Sequence, residues 1–175
     1  IQLKALLQNS RSNPTVITSL LLVLLSAVPL AYDLPLLPLG TADANMVRHF
    51  DDDEWLLYNA WGNTYTHGPL YADTFDIGQS YPKLFFNTAG VVLYPYGNVA
   101  GDNVTTVVTT LRSFNILFGL GAVFVLFFLV RRVLQSDLIA LIAAGLFAVT
   151  PQFLVWTVNS RPNPLEWMLI FIALL

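Results

Sequence analysis

The sequence predicts an all-α integral membrane protein with several spans. Of its 175 residues, 55% are hydrophobic and only 11% are charged, whereas an average soluble domain carries about 25% charged residues. Long uncharged apolar runs alternate with polar breaks, as in membrane-crossing helices. The chain has no cysteine, which excludes disulfides, thiolate metal sites and cysteine nucleophiles. A net charge of −3 argues against a nucleic-acid partner.

A first transmembrane helix is predicted over residues 12–33, after a cytoplasmic N-terminal segment of residues 1–11. The run carries no charge before Asp33, and about 20 apolar residues are enough to cross a bilayer. Pro29 ends or kinks the helix. A signal peptide is the alternative, but its apolar region of about 7–15 residues is shorter than this run. We therefore favour a helix that is retained.

The remaining spans follow an outer loop. A fourth apolar stretch is still running at the last residue, so we expect the chain to be the N-terminal part of a longer protein. The predicted order is an outer loop (34–106), a second span (107–130), a cytoplasmic turn (131–137), a third span (138–158), an outer turn (159–164) and the start of a fourth span (165–175).

Lysine and arginine residues set the predicted orientation. Lys4 and Arg11 precede the first span, and Arg131 and Arg132 close the second. The positive-inside rule places both groups in the cytoplasm, so the loop and the outer turn face the outside or an organelle lumen. Two interfacial helices rich in Trp and Tyr are predicted within the loop, because these side chains favour the membrane–water boundary.

Four consecutive acidic residues, Asp51, Asp52, Asp53 and Glu54, open the first interfacial helix. One interpretation is functional: a carboxylate acts as general base, or Asp52 and Asp53 hold a divalent cation together with His49. The other is structural, since acidic residues at a helix start are solvated and suit the helix dipole.

Three basic residues are candidate ligands for a phosphate: Lys83, Arg112 and Arg161. Arg112 lies inside the second span, where charges usually face a protein interior or a water-filled cavity. The alternatives are that Arg112 snorkels or pairs with loop acids, that Arg161 starts the next helix, and that Lys83 anchors an interfacial helix.

In this order, the motifs resemble the GT-C superfamily of membrane glycosyltransferases, especially the protein O-mannosyltransferase and aminoarabinose transferase branch. The resemblance covers nearly the whole chain and implies a GT-C-like bundle of many spans with a long first outer loop. It rests on the run Phe50 to Trp55, on Tyr81-Pro82-Lys83-Leu84, on Leu111-Arg112-Ser113, on Thr150-Pro151 and on Arg161-Pro162-Asn163-Pro164.

The resemblance implies an inverting enzyme that takes a sugar from a polyprenyl-phosphate donor and gives it to a protein, lipid or glycan acceptor. Asp53 would be the catalytic base beside Glu54, with Asp51 and Asp52 as supporting acids. Arg112, Arg161 and Lys83 would bind the donor phosphate. Several relatives have an acidic residue where this chain has Asn163, so a second acid would come from elsewhere.

The predicted function is therefore sugar transfer on the outer or luminal face of a bacterial or archaeal plasma membrane or of the endoplasmic reticulum. The alternative is a non-catalytic membrane subunit, either a degenerate relative or an accessory chain of a larger complex. A transporter is disfavoured, because the spans lack the polar mid-membrane residues that transporters use.

Overall fold

In the computed structural model, residues 14–42, 58, 88, 103–159 and 161–175 are described. Every regular element in these ranges is helical, which confirms the predicted all-α membrane fold class. The elements are α1 (Pro14–Asp33), a 3-10 turn (Leu34–Leu36), α2 (Val104–Leu134), α3 (Asp137–Ala148), α4 (Pro151–Val158) and α5 (Asn163–Leu174). The two predicted interfacial helices lie outside the described residues, apart from Tyr58 and Thr88.

Two stretches of the described chain are long and apolar enough to cross a membrane, Ile17–Leu36 and Val104–Leu134. α2 has 31 residues and so is about 46 Å long, well above the ~30 Å of a hydrocarbon core. The part of α2 between Arg112 and Arg131 spans ~28 Å at 1.5 Å per residue, which matches that core. The first eight residues of α2 therefore extend beyond it.

The third predicted span is bent in the structure. α3 and α4 meet at an angle of 60° and are together long and apolar enough for one membrane segment, either a broken span or a re-entrant loop. The break lies at Val149 and Thr150, directly before Pro151. A residue before proline is disfavoured in the helical region, and Thr150 has an extended backbone with ψ 134°. The proline that the sequence placed near the far end of this span therefore divides it.

α2 is the central helix of the bundle and packs against each of the other four α-helices. Ala140, Ala144 and Ala148 recur every four residues on one face of α3, and all three are fully buried. Small residues at this spacing let neighbouring helices approach closely. They form one core cluster with Leu22 of α1 and with Val123 and Phe127 of α2.

Polar contacts join three helices at the end of the bundle where α2 meets α3, which we call the Asp137 end. Asp137 Oδ1 lies 2.7 Å from Arg131 Nε. The other carboxyl oxygen, Oδ2, accepts a hydrogen bond of 3.3 Å from the hydroxyl of Thr18 in α1. The link between α2 and α3 is short because Gln135 adopts a left-handed conformation with φ 53° and Ser136 caps α3.

Candidate functional site

Four buried polar side chains lie at the opposite end of the bundle, which we call the Arg112 end. Asp33, Arg112, Asn115 and Thr157 are each at most 1% exposed. They come from α1, α2 and α4. Polar groups buried at membrane depth are costly and usually mark functional positions. We call these four residues the polar layer.

Arg112 binds the backbone that follows α1. Its Nη1 donates to the carbonyl oxygens of Leu36 at 3.1 Å, Leu37 at 2.7 Å and Leu39 at 2.7 Å. These carbonyls belong to the 3-10 turn and the residues just after it, and the Leu36 carbonyl also accepts a 3.0 Å hydrogen bond from the backbone N–H of Leu39. A guanidinium group satisfies several of them at once, so Arg112 fixes the point where the chain leaves α1.

A second contact fixes the same segment. Gly40 adopts φ 72°, a left-handed conformation that glycine enters without strain, and the chain turns there. Just beyond it, the Thr41 carbonyl accepts a hydrogen bond of 2.8 Å from the Thr105 hydroxyl in the first turn of α2. The segment from Leu34 to Thr41 is therefore held by α2 at two levels.

Asn115 lies three residues after Arg112 and binds the end of α4. Its Nδ2 donates to the carbonyl of Trp156 at 2.6 Å and to that of Asn159 at 2.5 Å. The Asn159 carbonyl also accepts a 2.7 Å hydrogen bond from the backbone N–H of Arg161. Asn115 therefore connects α2 directly to the turn that carries Arg161.

Asp33 joins the end of α1 to α4. Its Oδ2 accepts a hydrogen bond of 2.8 Å from the Thr157 hydroxyl. That hydroxyl also lies 2.9 Å from the Phe153 carbonyl and 3.0 Å from the Leu154 carbonyl. It has one proton to donate, and a carboxylate is the stronger acceptor. Within the described residues, Asp33 Oδ1 and Asn115 Oδ1 are buried and have no hydrogen-bond partner.

Arg161 and Asn163 occupy the short turn between α4 and α5. Arg161 and Asn163 are partly exposed, while the prolines at 162 and 164 are buried. Asn163 is the first residue of α5. The structure thus places Arg161 and Arg112 at the same end of the bundle, Arg112 on α2 itself and Arg161 on a turn that α2 holds through Asn115.

The other predicted site residues are not among the described ones. His49, Asp51, Asp52, Asp53, Glu54 and Lys83 all lie outside those ranges. In the part of the chain that is described, no group of three His, Cys, Asp or Glu side chains could hold a metal ion.

Residues 70–175 match the family model of the dolichyl-phosphate-mannose-protein mannosyltransferases. The match covers more than half of the chain. The chain belongs to this family. The predicted resemblance to GT-C glycosyltransferases is thereby confirmed, and so is a mannosyltransferase-type glycosyltransferase in an integral membrane setting. No curated protein and no solved structure matches the chain significantly.

The mannosyltransferase match includes Lys83, Arg112, Arg161 and all of α2 to α5. The acidic run at residues 51–54 precedes the matched residues. The family assignment therefore does not depend on the proposed base.

Sequence reasoning did not single out three residues of the polar layer: Asp33, Asn115 and Thr157. Asp33 was taken only as the end of an uncharged run. Asn115 had one usable signal, since it is an amide within an apolar span and lies one helical turn from Arg112. Thr157 had no usable signal in the sequence, because threonine is common in such helices. Only its hydrogen bond to Asp33 of α1 distinguishes it.

Proposed function

We propose that this chain transfers a mannose-type hexose from a polyprenyl-phosphate donor to a protein hydroxyl, on the outer or luminal face of the membrane. The observation that carries the proposal is the mannosyltransferase family match over residues 70–175. The name of this family states both the dolichyl-phosphate-mannose donor and the protein acceptor.

Asp53 is the general base of the proposed reaction. It takes the proton of the acceptor hydroxyl while the hydroxyl oxygen attacks the anomeric carbon of the sugar. The bond between that carbon and the phosphate oxygen breaks, and the polyprenyl phosphate leaves with the electron pair. Attack from the face opposite the leaving group inverts the anomeric configuration. Glu54 is the second acid of the motif, and Asp51 and Asp52 support it.

Basic residues stabilise the leaving phosphate as it gains negative charge. Arg161 is suited to this role because it is partly exposed and lies on a turn held by Asn115. Arg112 contributes from the same end of the bundle, where it also binds three backbone carbonyls. Lys83 is the third proposed phosphate ligand.

The distribution of charge supports the proposed side of the membrane. Lys4 and Arg11 precede α1 in the sequence, and Arg131 and Arg132 close α2 at the Asp137 end, whereas at the other end Arg112 is buried and Arg161 lies in the turn before α5. Under the positive-inside rule the Asp137 end is cytoplasmic, so the Arg112 end faces the acceptor.

The substitution Asp53→Asn tests the proposed base. We expect sugar transfer from dolichyl phosphate mannose to an acceptor peptide to fall by about 10²- to 10⁴-fold, the usual contribution of a general base. Binding of dolichyl phosphate should stay within about threefold. Asp73→Asn is the matched control, an acidic residue of the same predicted outer loop with no proposed catalytic role, and it should keep most of the activity.

Other results of these transfer assays would assign a different role to Asp53, to the chain or to a metal ion. Full transfer by Asp53→Asn would exclude it as the base. A wild-type chain that transfers nothing alone, but restores transfer to an inactive complex, would be a non-catalytic subunit. Transfer lost in EDTA and restored by Mg²⁺ or Mn²⁺ would assign a divalent cation, with Asp52, Asp53 and His49 as its candidate ligands.

A further inference from the structure

Asp33 is a fully buried carboxyl group for which packing alone gives no reason. It is 0% exposed and ends the first membrane-spanning helix. A carboxyl group in either protonation state costs more to bury than an aliphatic side chain of similar size. Replacing buried polar groups by apolar ones is often neutral or stabilising. A role beyond stability is therefore indicated.

The hydrogen bond of Asp33 reaches the last turn of α4. Thr157 is two residues before Asn159, whose carbonyl binds the backbone N–H of Arg161. The methyl group of Thr157 rests against Gly119 of α2, where a Cβ atom would lie only 2.3 Å away. The Thr157 side chain is thus confined between α1 and α2, with little freedom to turn.

Two independent contacts therefore set the end of α4. Asn115 of α2 holds its carbonyls, and Asp33 of α1 holds its last side-chain hydroxyl. An apolar contact would tolerate rotation of α4 about its own axis, whereas a hydrogen bond to a buried carboxyl group favours one setting. That setting determines where the turn after α4 presents Arg161.

We propose that Asp33 is a positioning residue for sugar transfer, which acts through Thr157 to fix the turn that presents Arg161 to the donor phosphate. This inference rests on the proposed function, in which Arg161 binds that phosphate. A displacement of about 1 Å at such a group can cost roughly 10²-fold in rate. Asp33 itself is buried and does not touch the substrate.

Thr157→Val is the direct test, because it removes the hydroxyl and keeps the shape of the side chain. We expect kcat/KM for dolichyl phosphate mannose to fall by about 10- to 100-fold, mainly through a higher KM for the donor. Asp33→Ala should give a similar loss. Thr157→Ser keeps the hydroxyl and should stay within about threefold of the wild type, a recovery that a purely steric role would not give.

A double-mutant cycle with Arg161→Ala separates positioning from general destabilisation. If Thr157 acts through Arg161, then Thr157→Val should cause little further loss in the Arg161→Ala background. Additive losses, or a Thr157→Val protein with wild-type kinetics, would overturn the inference.

The same double-mutant cycle can be measured as the affinity of each protein for dolichyl phosphate. This binding does not need Asp53 or any turnover. An inactive wild-type chain would refute the proposed function, while non-additive binding losses would still support the link between Thr157 and Arg161. Additive binding losses would overturn that link even if the chain proved to be an active mannosyltransferase.

Discussion

At the scale of single residues, Arg112 is both a structural donor and a candidate phosphate ligand. Nη1 alone makes contacts of 2.7–3.1 Å with three carbonyls. Arg112 is only 1% exposed. The carbonyl contacts tie Arg112 to the stability of the fold, and its role at the donor phosphate stays a prediction.

We expect Arg112→Gln to lower the free energy of unfolding in detergent by about 2–3 kcal/mol in the absence of donor, because the backbone carbonyls after α1 would lose a charged hydrogen-bond donor. Chemical or thermal unfolding measures this. Arg132→Gln is the matched control, since Arg132 is exposed on the same helix, and it should cost less than about 0.5 kcal/mol. Equal stabilities of the two variants would show that Arg112 has no structural role.

At the scale of helices, the contact between α2 and α4 depends on the absence of a side chain at Gly119. A Cβ atom there would meet Thr157 Cγ2 at 2.3 Å and Phe153 Cζ at 3.3 Å. Both neighbours are almost fully buried and have no space to withdraw into. Close helix approach through a glycine is common in membrane bundles.

Gly119→Ala should therefore destabilise the bundle by about 1–3 kcal/mol through overpacking. Adding Thr157→Ser removes the clashing methyl group and should recover most of that loss in the double variant. Gly145→Ala is the comparison, because its nearest neighbour is the end of the flexible Leu25 side chain at 3.3 Å. The unfolding midpoints of the wild type, the two single glycine variants and the double variant give the result. If the double variant is as unstable as Gly119→Ala alone, the steric explanation is wrong.

At the scale of the whole molecule, the bundle has two chemically different ends. The Asp137 end carries a partly exposed ion pair with side-chain exposures of 41% and 33%. The Arg112 end carries the polar layer, which is buried. About 28 Å of α2 separates the two levels, so a membrane fits between them.

The proposed orientation can be tested by labelling, since the chain has no native cysteine. We introduce one cysteine at Gln135 or at Ala42, both of which are exposed. In sealed vesicles with the cytoplasmic side outward, a membrane-impermeant maleimide should label Gln135→Cys at once. Ala42→Cys should react only after permeabilisation. The reverse pattern would invert the topology and remove the proposed outer site.

Apolar runs and proline made much of the architecture predictable. An apolar helix is found at Pro14–Asp33, the bounds of the spans stay predictions, and the family was identifiable from five ordered motifs. The bond from Asp33 to Thr157 was not predictable, because it depends on which helices become neighbours across 124 positions of sequence. The carbonyl ligands of Arg112 were missed for the same reason. The base assigned to Asp53 stays a prediction.

The hydrogen bond between Thr105 and Thr41 has a consequence for how this architecture can vary. It brings together two points that are 64 positions apart, so the two ends of the intervening segment lie side by side. A segment whose two ends are held together tolerates changes of length, since each doubling of its length adds only about 0.6 kcal/mol to the entropic cost of closing it. Segments of other lengths could be grafted between Thr41 and Thr105 while the membrane scaffold stayed the same.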